Sequence, residues 1–123
     1  MGNSRILLVD DETDLVEMVK MRLEANHYEV ITAFDGQDGL EKARSVNPDL
    51  IILDIMLPKM DGYKVCRILK FDENFKKIPV IMFTARAQDQ DKETGTQVGA
   101  DAYITKPFEP EVLLNKINEL MPK

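Results

Sequence analysis

LLVDDETD, residues 7–14, passes from an aliphatic run into four acids within five positions. Such a stretch reads as a buried strand with carboxylates at its carboxyl end. Carboxylates at a buried edge repel one another, and dehydrating them is costly unless something positive compensates. The acids are therefore either solvated or arranged around a cation.

Five short apolar runs recur along the chain, at residues 6–9, 30–33, 50–53, 80–83 and 102–104. Three of them (ILLV, LIIL and VIMF) are continuous in Val, Ile, Leu, Met or Phe, the pattern of strands covered on both faces. Helix-like segments lie between. Leu15, Val19 and Leu23 repeat at four-residue spacing in the first, and Leu113, Ile117, Leu120 and Met121 form one stripe in the last. The pattern is β-α repeated five times, which implies a doubly wound α/β fold: a parallel sheet between helices, with right-handed crossovers. Ligands in such folds sit beyond the carboxyl ends of the strands, at the point where the strand order reverses.

Breakers agree with this layout. Asn47-Pro48 closes the second helix, Leu57-Pro58 and Gly62 shape the loop after the third strand, Pro79 precedes the fourth, and Gly99 ends the fourth helix. That fourth helical segment, QDQDKETGTQV at 88–98, is weak. Val98 is its one strongly apolar residue, and Gly95 in its interior costs about 0.5–1 kcal/mol relative to alanine. It is expected to be the least rigid helix.

The 123 residues fit one domain, 1–123, with 44% hydrophobic and 31% charged residues and a net charge of -6. No basic stripe exists to displace counterions from phosphates, so direct nucleic-acid binding is not expected. The single cysteine, Cys66, excludes an intrachain disulfide and reads as a small core residue on a helix. Neither a signal-like N-terminus nor an apolar run of spanning length is present, so the expected compartment is the cytoplasm, away from the membrane.

The strand ends collect a compact set: Asp10 and Asp11, then Asp54, Thr84, and Thr105-Lys106-Pro107. Aspartates with a backbone carbonyl and no histidine or thiolate favour a hard cation such as Mg2+, with Mn2+ as a substitute. His27, in the turn before strand two, reads as a surface residue. Glu12, Thr13 and Asp14 read as the first helix's start, where Thr13 or Asp14 would cap it. Mg2+, an edge aspartate, a hydroxyl and an ammonium suit phosphoryl transfer, because the incoming group's negative charge must be neutralised among carboxylates. Asp54 would then be the nucleophile.

Over nearly its whole length the sequence resembles the receiver domain of two-component response regulators (CheY-like). LLVDD at 7–11, PDLIILDIMLPKMDG at 48–62, VIMFTA at 80–85 and ITKPF at 104–108 carry the resemblance. It implies a (βα)5 fold with strand order 2-1-3-4-5. It also implies that Asp54 accepts a phosphoryl group from a sensor histidine kinase, and that Asp11, Asp54 and the Met56 backbone carbonyl ligate Mg2+. Asp10 would assist through the metal shell or water. Lys106 would pair with Asp54 or the phosphoryl oxygens, and Pro107 would set the lysine loop through a cis bond. Thr84 and Tyr103 match the family's switch pair, and Met56 and Arg86 match positions flanking the water that removes the phosphoryl group. Neither is an obvious base, so slow self-dephosphorylation is expected.

The resemblance also implies an output surface of the fourth helix, fifth strand and fifth helix, contacting a downstream protein. The expected state is a monomer, with phosphorylation-dependent dimerisation left open. The chain would catalyse only its own phosphorylation and dephosphorylation, and is not expected to be a turnover enzyme. A haloacid-dehalogenase-type phosphohydrolase would need a second acid at position 56, which is Met. A flavodoxin-like cofactor binder would need a Gly, Ser or Thr-rich loop where DDETD stands. The chain ends soon after the fifth helix, which fits either a free-standing regulator or a receiver cut from a longer protein.

Overall fold

The structure, a computed structural model, describes residues 4–84 and 99–121; of Thr84 it describes the backbone alone. Strands β1 (Arg5–Val9), β2 (Glu29–Ala33), β3 (Leu50–Asp54), β4 (Val80–Thr84) and β5 (Ala102–Thr105) form one parallel sheet in the order β2-β1-β3-β4-β5. The interior strands are the three with continuous apolar sequence. Every residue of β3 is buried, whereas β2 and β5, at the sheet's edges, are largely half-buried.

Side-chain alternation divides the core into two layers. Leu7, Val9, Ile51, Leu53, Val80 and Met82 pack with helices α2 (Gly36–Val46) and α3 (Gly62–Lys70) on one face. Ile6, Leu8, Ile52, Ile81 and Phe83 pack on the other with α1 (Thr13–Ala25) and the C-terminal helix α4 (Pro110–Leu120). In α1 the deepest residues are Val16, Val19 and Leu23. Leu15 is only half-buried, a one-position rotation of the expected stripe. Cys66 is fully buried on α3, and His27 is exposed in its turn at φ 71°. The expected helical segment 88–98 lies outside the described residues.

Helix starts decide what happens at the carboxyl edge. Asp35 caps α2 by accepting from the Asp38 N–H at 2.7 Å, and Asp61 caps α3 by accepting from the Lys64 N–H at 2.9 Å. Helix α1 differs from expectation: Glu12 occupies its N-cap and makes no side-chain cap bond, so neither Thr13 nor Asp14 caps it. The Glu12 N–H instead donates to the Asp10 carboxylate at 2.9 Å, drawing that acid back over the helix entrance.

Two glycines bring backbones into contact beside this edge. A Cβ on Gly62 would lie 2.1 Å from the Asp54 carbonyl oxygen, and one on Gly36 would lie 1.7 Å from that of Met60. Both obstacles are backbone, which cannot swing aside. The Gly36 N–H also donates to the Pro58 carbonyl at 3.2 Å, clasping the β3–α3 loop to the start of α2. Gly36→Ala should therefore cost about 1–3 kcal/mol or more through overpacking. Urea unfolding of the variant, compared with the buried but less confined Gly39→Ala, measures it; an unchanged midpoint for Gly36→Ala would show that the clasp can yield.

Candidate phosphoryl-transfer site

Because β1 is paired with β2 on one side and β3 on the other, the strand order reverses between β1 and β3. Asp10 follows β1, and Asp54 is the last residue of β3. Oxygens of Asp10, Asp11 and Asp54 all lie within 4.8 Å of one another. Asp10 is fully buried, Asp54 is 5% exposed and Asp11 faces solvent. Asp10 and Asp54 are the two buried acids among the described residues, and they stand next to each other.

Lys106 enters from the end of β5. Its ammonium lies 2.8 Å from an Asp10 oxygen, 3.5 Å from Asp54 and 3.4 Å from Glu12. The closest partner is thus Asp10, not the proposed phosphoacceptor. The lysine also sits 5.9 Å above the Phe83 ring, which packs at 4.9 Å against Phe108, so an aromatic floor shields the pair. The Lys106–Pro107 peptide bond is cis.

Electrostatics follow from burial. Dehydration of the Asp54 carboxylate, reinforced by the charge of Asp10, pushes its pKa up to about 6; Lys106 and the Met56 backbone N–H pull against this without prevailing. Burial also opposes the charge on Lys106, but the Asp10 hydrogen bond and the carboxylates of Asp10, Asp54 and Glu12 outweigh it and raise its pKa. Three clustered carboxylates against one ammonium leave room for more positive charge. An all-oxygen donor set of this kind fits a hard divalent cation.

Beside the carboxylates opens a cleft of about 510 Å3, bordered by Asp11, Met56, Pro58, Asp61 and Tyr63. Met56 is 76% exposed, so its thioether stands in solvent at the rim. Thr84 ends β4 in register with Thr105; its hydroxyl lies outside the described set, as does all of Arg86. Tyr103 is half-buried on β5, with its hydroxyl 2.9 Å from that of Tyr63. Sequence reasoning missed Glu12 as a partner of Lys106 and Tyr63 as a wall of the cleft. The Gly62-Tyr63 step offered a partial signal, since a glycine seated against Asp54 brings its neighbour close.

A parallel sheet with clustered acids at its switch point defines a doubly wound domain whose carboxyl edge suits a hard cation. Residues 6–118 match the model of the response regulator receiver domain, and the chain belongs to that family. It is 43% identical over 119 residues to the alkaline phosphatase synthesis transcriptional regulatory protein PhoP of Bacillus subtilis, covering 97% of this chain and 49% of that protein. The chain thus spans about half the length of the curated relatives it matches. Among solved structures, the chemotaxis response regulator CheY4 of Vibrio cholerae is 33% identical with a TM-score of 0.92, covering 98% of this chain and 100% of that one. The receiver domain of the sensor histidine kinase PA1611 from Pseudomonas aeruginosa is 30% identical with a TM-score of 0.89, covering 97% and 98%. Its structure has a magnesium ion coordinated in the active-site cleft. The family is one of signalling receivers in two-component systems rather than of turnover enzymes. Among the described residues, no helix is long and apolar enough to cross a membrane.

The raised pKa of Asp54 has a consequence for stability. With a folded pKa of about 6 against an ordinary 3.8, the group favours the fold fully at low pH, and that contribution is lost as pH rises through 6. Asp54→Asn should therefore stabilise the Mg2+-free protein at pH 7 by roughly 1–3 kcal/mol. The advantage should fade as pH is lowered to 4.5. Thermal unfolding of both proteins at the two pH values tests this, and an advantage that grew on acidification would contradict it.

Proposed function

We propose that the chain is a phosphorylation-dependent switch in which Asp54 accepts a phosphoryl group from a phosphohistidine on a sensor histidine kinase. The observation that carries this reading is the convergence of Asp10, Asp11, Asp54 and Lys106 at one sheet edge, from residues up to 96 positions apart. An Asp54 oxygen forms the new bond to phosphorus. The phosphorus–nitrogen bond breaks, and its electron pair leaves with the imidazole, which takes up a proton. Lys106, within 3.5 Å of Asp54, neutralises charge on the transferred oxygens. Asp11, Asp54 and the Met56 carbonyl would hold Mg2+, with Asp10 behind them. The ion would supply charge neutralisation and orientation of the incoming group.

The remaining assignments rest on the family resemblance. Thr84 and Tyr103 act as the switch pair, and the surface around β5 and the flanking helices is remodelled for a downstream protein. Pro107 shapes the lysine loop, and residues 1–123 form one receiver domain working in the cytoplasm as a monomer or a phosphorylation-dependent dimer. A second reading places this receiver in a longer regulator with its own effector region, favoured by the 49% coverage of the Bacillus subtilis relative, which is by name a transcriptional regulator.

Intact mass after incubation with acetyl phosphate tests the central reading. A gain of one phosphoryl group that needs Mg2+ and is absent in Asp54→Asn is expected; a folded protein that gains none under any condition would sink it.

Dephosphorylation should be slow, lasting minutes or longer. Met56 lines the cleft with an apolar, exposed side chain that cannot activate water. A Met56→Asn, Arg86→Glu variant should lose its phosphoryl group several-fold faster, read by the decay of the phosphorylated mass; an equal or slower decay would refute that assignment.

A further inference from the structure

Glu12 stands between the start of α1 and the lysine of the site. It occupies the N-cap of α1, where a side-chain oxygen ordinarily accepts from one of the helix's free N–H groups, yet it makes no such bond. Its polar groups turn to the site instead. The Glu12 N–H donates to an Asp10 carboxylate oxygen at 2.9 Å, and the Glu12 carboxylate accepts from the Lys106 ammonium at 3.4 Å. That ammonium, on a side chain 12% exposed, therefore faces three carboxylates: Asp10 at 2.8 Å, Glu12 at 3.4 Å and Asp54 at 3.5 Å. Glu12 is outside the cluster that Asp10, Asp11 and Asp54 form, and its side chain is mostly in solvent. It thus adds negative charge beside the lysine without belonging to the set of oxygens suited to a cation.

We propose that Glu12 is a positioning residue that acts through Lys106 and sets how the site divides its preference between a divalent cation and an anionic phosphoryl donor. The inference rests on the reading of Asp54 as phosphoacceptor and adds one residue to it. Its direction follows from the sign of the charges and needs no assignment of the contact to one conformation. A carboxylate against the ammonium takes up part of the positive charge that Lys106 can offer to phosphoryl oxygens, and it repels an incoming anion directly. The same charge favours a cation at the neighbouring carboxylates, both directly and by drawing Lys106 away from them. For each ligand the two routes have the same sign. Because Glu12 is largely exposed, water screens it, and the effect is that of a surface ion pair rather than a buried one. Glu12→Gln keeps the length of the side chain and a hydrogen-bond acceptor, and it removes the charge.

The experiment measures two quantities on the full chain. Mg2+ alone is titrated by calorimetry, and the rate of labelling by acetyl phosphate at saturating Mg2+ is followed by intact mass. Wild type and Glu12→Gln are compared with Glu24→Gln, which removes the same charge from an exposed position near the other end of α1. In Glu12→Gln the Mg2+ dissociation constant should rise roughly 2- to 5-fold and the labelling rate should increase by a similar factor, with both differences shrinking as KCl is raised. Glu24→Gln should resemble wild type. Opposite movement of the two quantities is the signature of charge, since a merely structural role for Glu12 would weaken cation binding and labelling together. Both falling, both unchanged, or the same pair of shifts in Glu24→Gln overturns the proposal and leaves the receiver reading standing as long as wild type is labelled. A wild type that binds Mg2+ but gains no phosphoryl group removes the receiver reading, and the role of Glu12 falls with it.

Discussion

The ion pair between Lys106 and Asp10 holds the functional edge of this protein in place. A fully buried carboxylate is tolerable only when its charge and its hydrogen-bonding capacity are both met. Asp10 meets them by accepting from the Lys106 ammonium with one oxygen and from the Glu12 N–H with the other, while its own N–H donates to Ala33 on β2. These bonds tie the end of β1 to the first helix, to the neighbouring strand and to the loop after β5. Lys106 is thereby fixed over the site, and Asp54 is left with a weaker share of its charge.

That division of labour explains the electrostatic state of Asp54. Its carboxyl is buried beside Asp10, and its nearest cation is engaged more closely elsewhere, so its pKa climbs toward neutrality. A carboxylate in this condition is poorly stabilised on its own and gains from any further cation, which is why the geometry suits a divalent ion. The energetic strain of the site is the other face of its readiness to bind one.

Close backbone contact supplies the rigidity that such a site needs. Gly62 against Asp54 and Gly36 against Met60 leave no space for a side chain, and they pin the loop carrying Met56 between two helix starts capped by Asp61 and Asp35. At the opposite end of the sheet a second partly buried lysine plays a structural part. Lys70 bonds to Asp101 and to the Ile78 carbonyl, each at 2.7 Å, and Asp101 also accepts from the Val80 N–H. The sheet is thus stapled by charge at both ends, with the cleft opening at one of them.

Much of this was legible in the chain itself. ILLV, LIIL and VIMF had to be interior strands, because a continuous apolar run can be buried only with helices on both faces, and the acids following two of them had to lie at the carboxyl edge. The cluster of Asp10, Asp11 and Asp54 and the approach of Lys106 follow from that topology and from strand lengths of four or five residues. What the chain did not disclose are contacts between side chains brought near by folding. Lys106 prefers Asp10 to Asp54, Glu12 serves the lysine rather than only the helix start, and Tyr63 meets Tyr103 across β4. Periodicity and spacing report which face of an element is buried, with period 2 or 3.6. They carry no information on rotamers or on distances of a few tenths of an ångström between elements, and those decide which of several nearby carboxylates holds a shared ammonium.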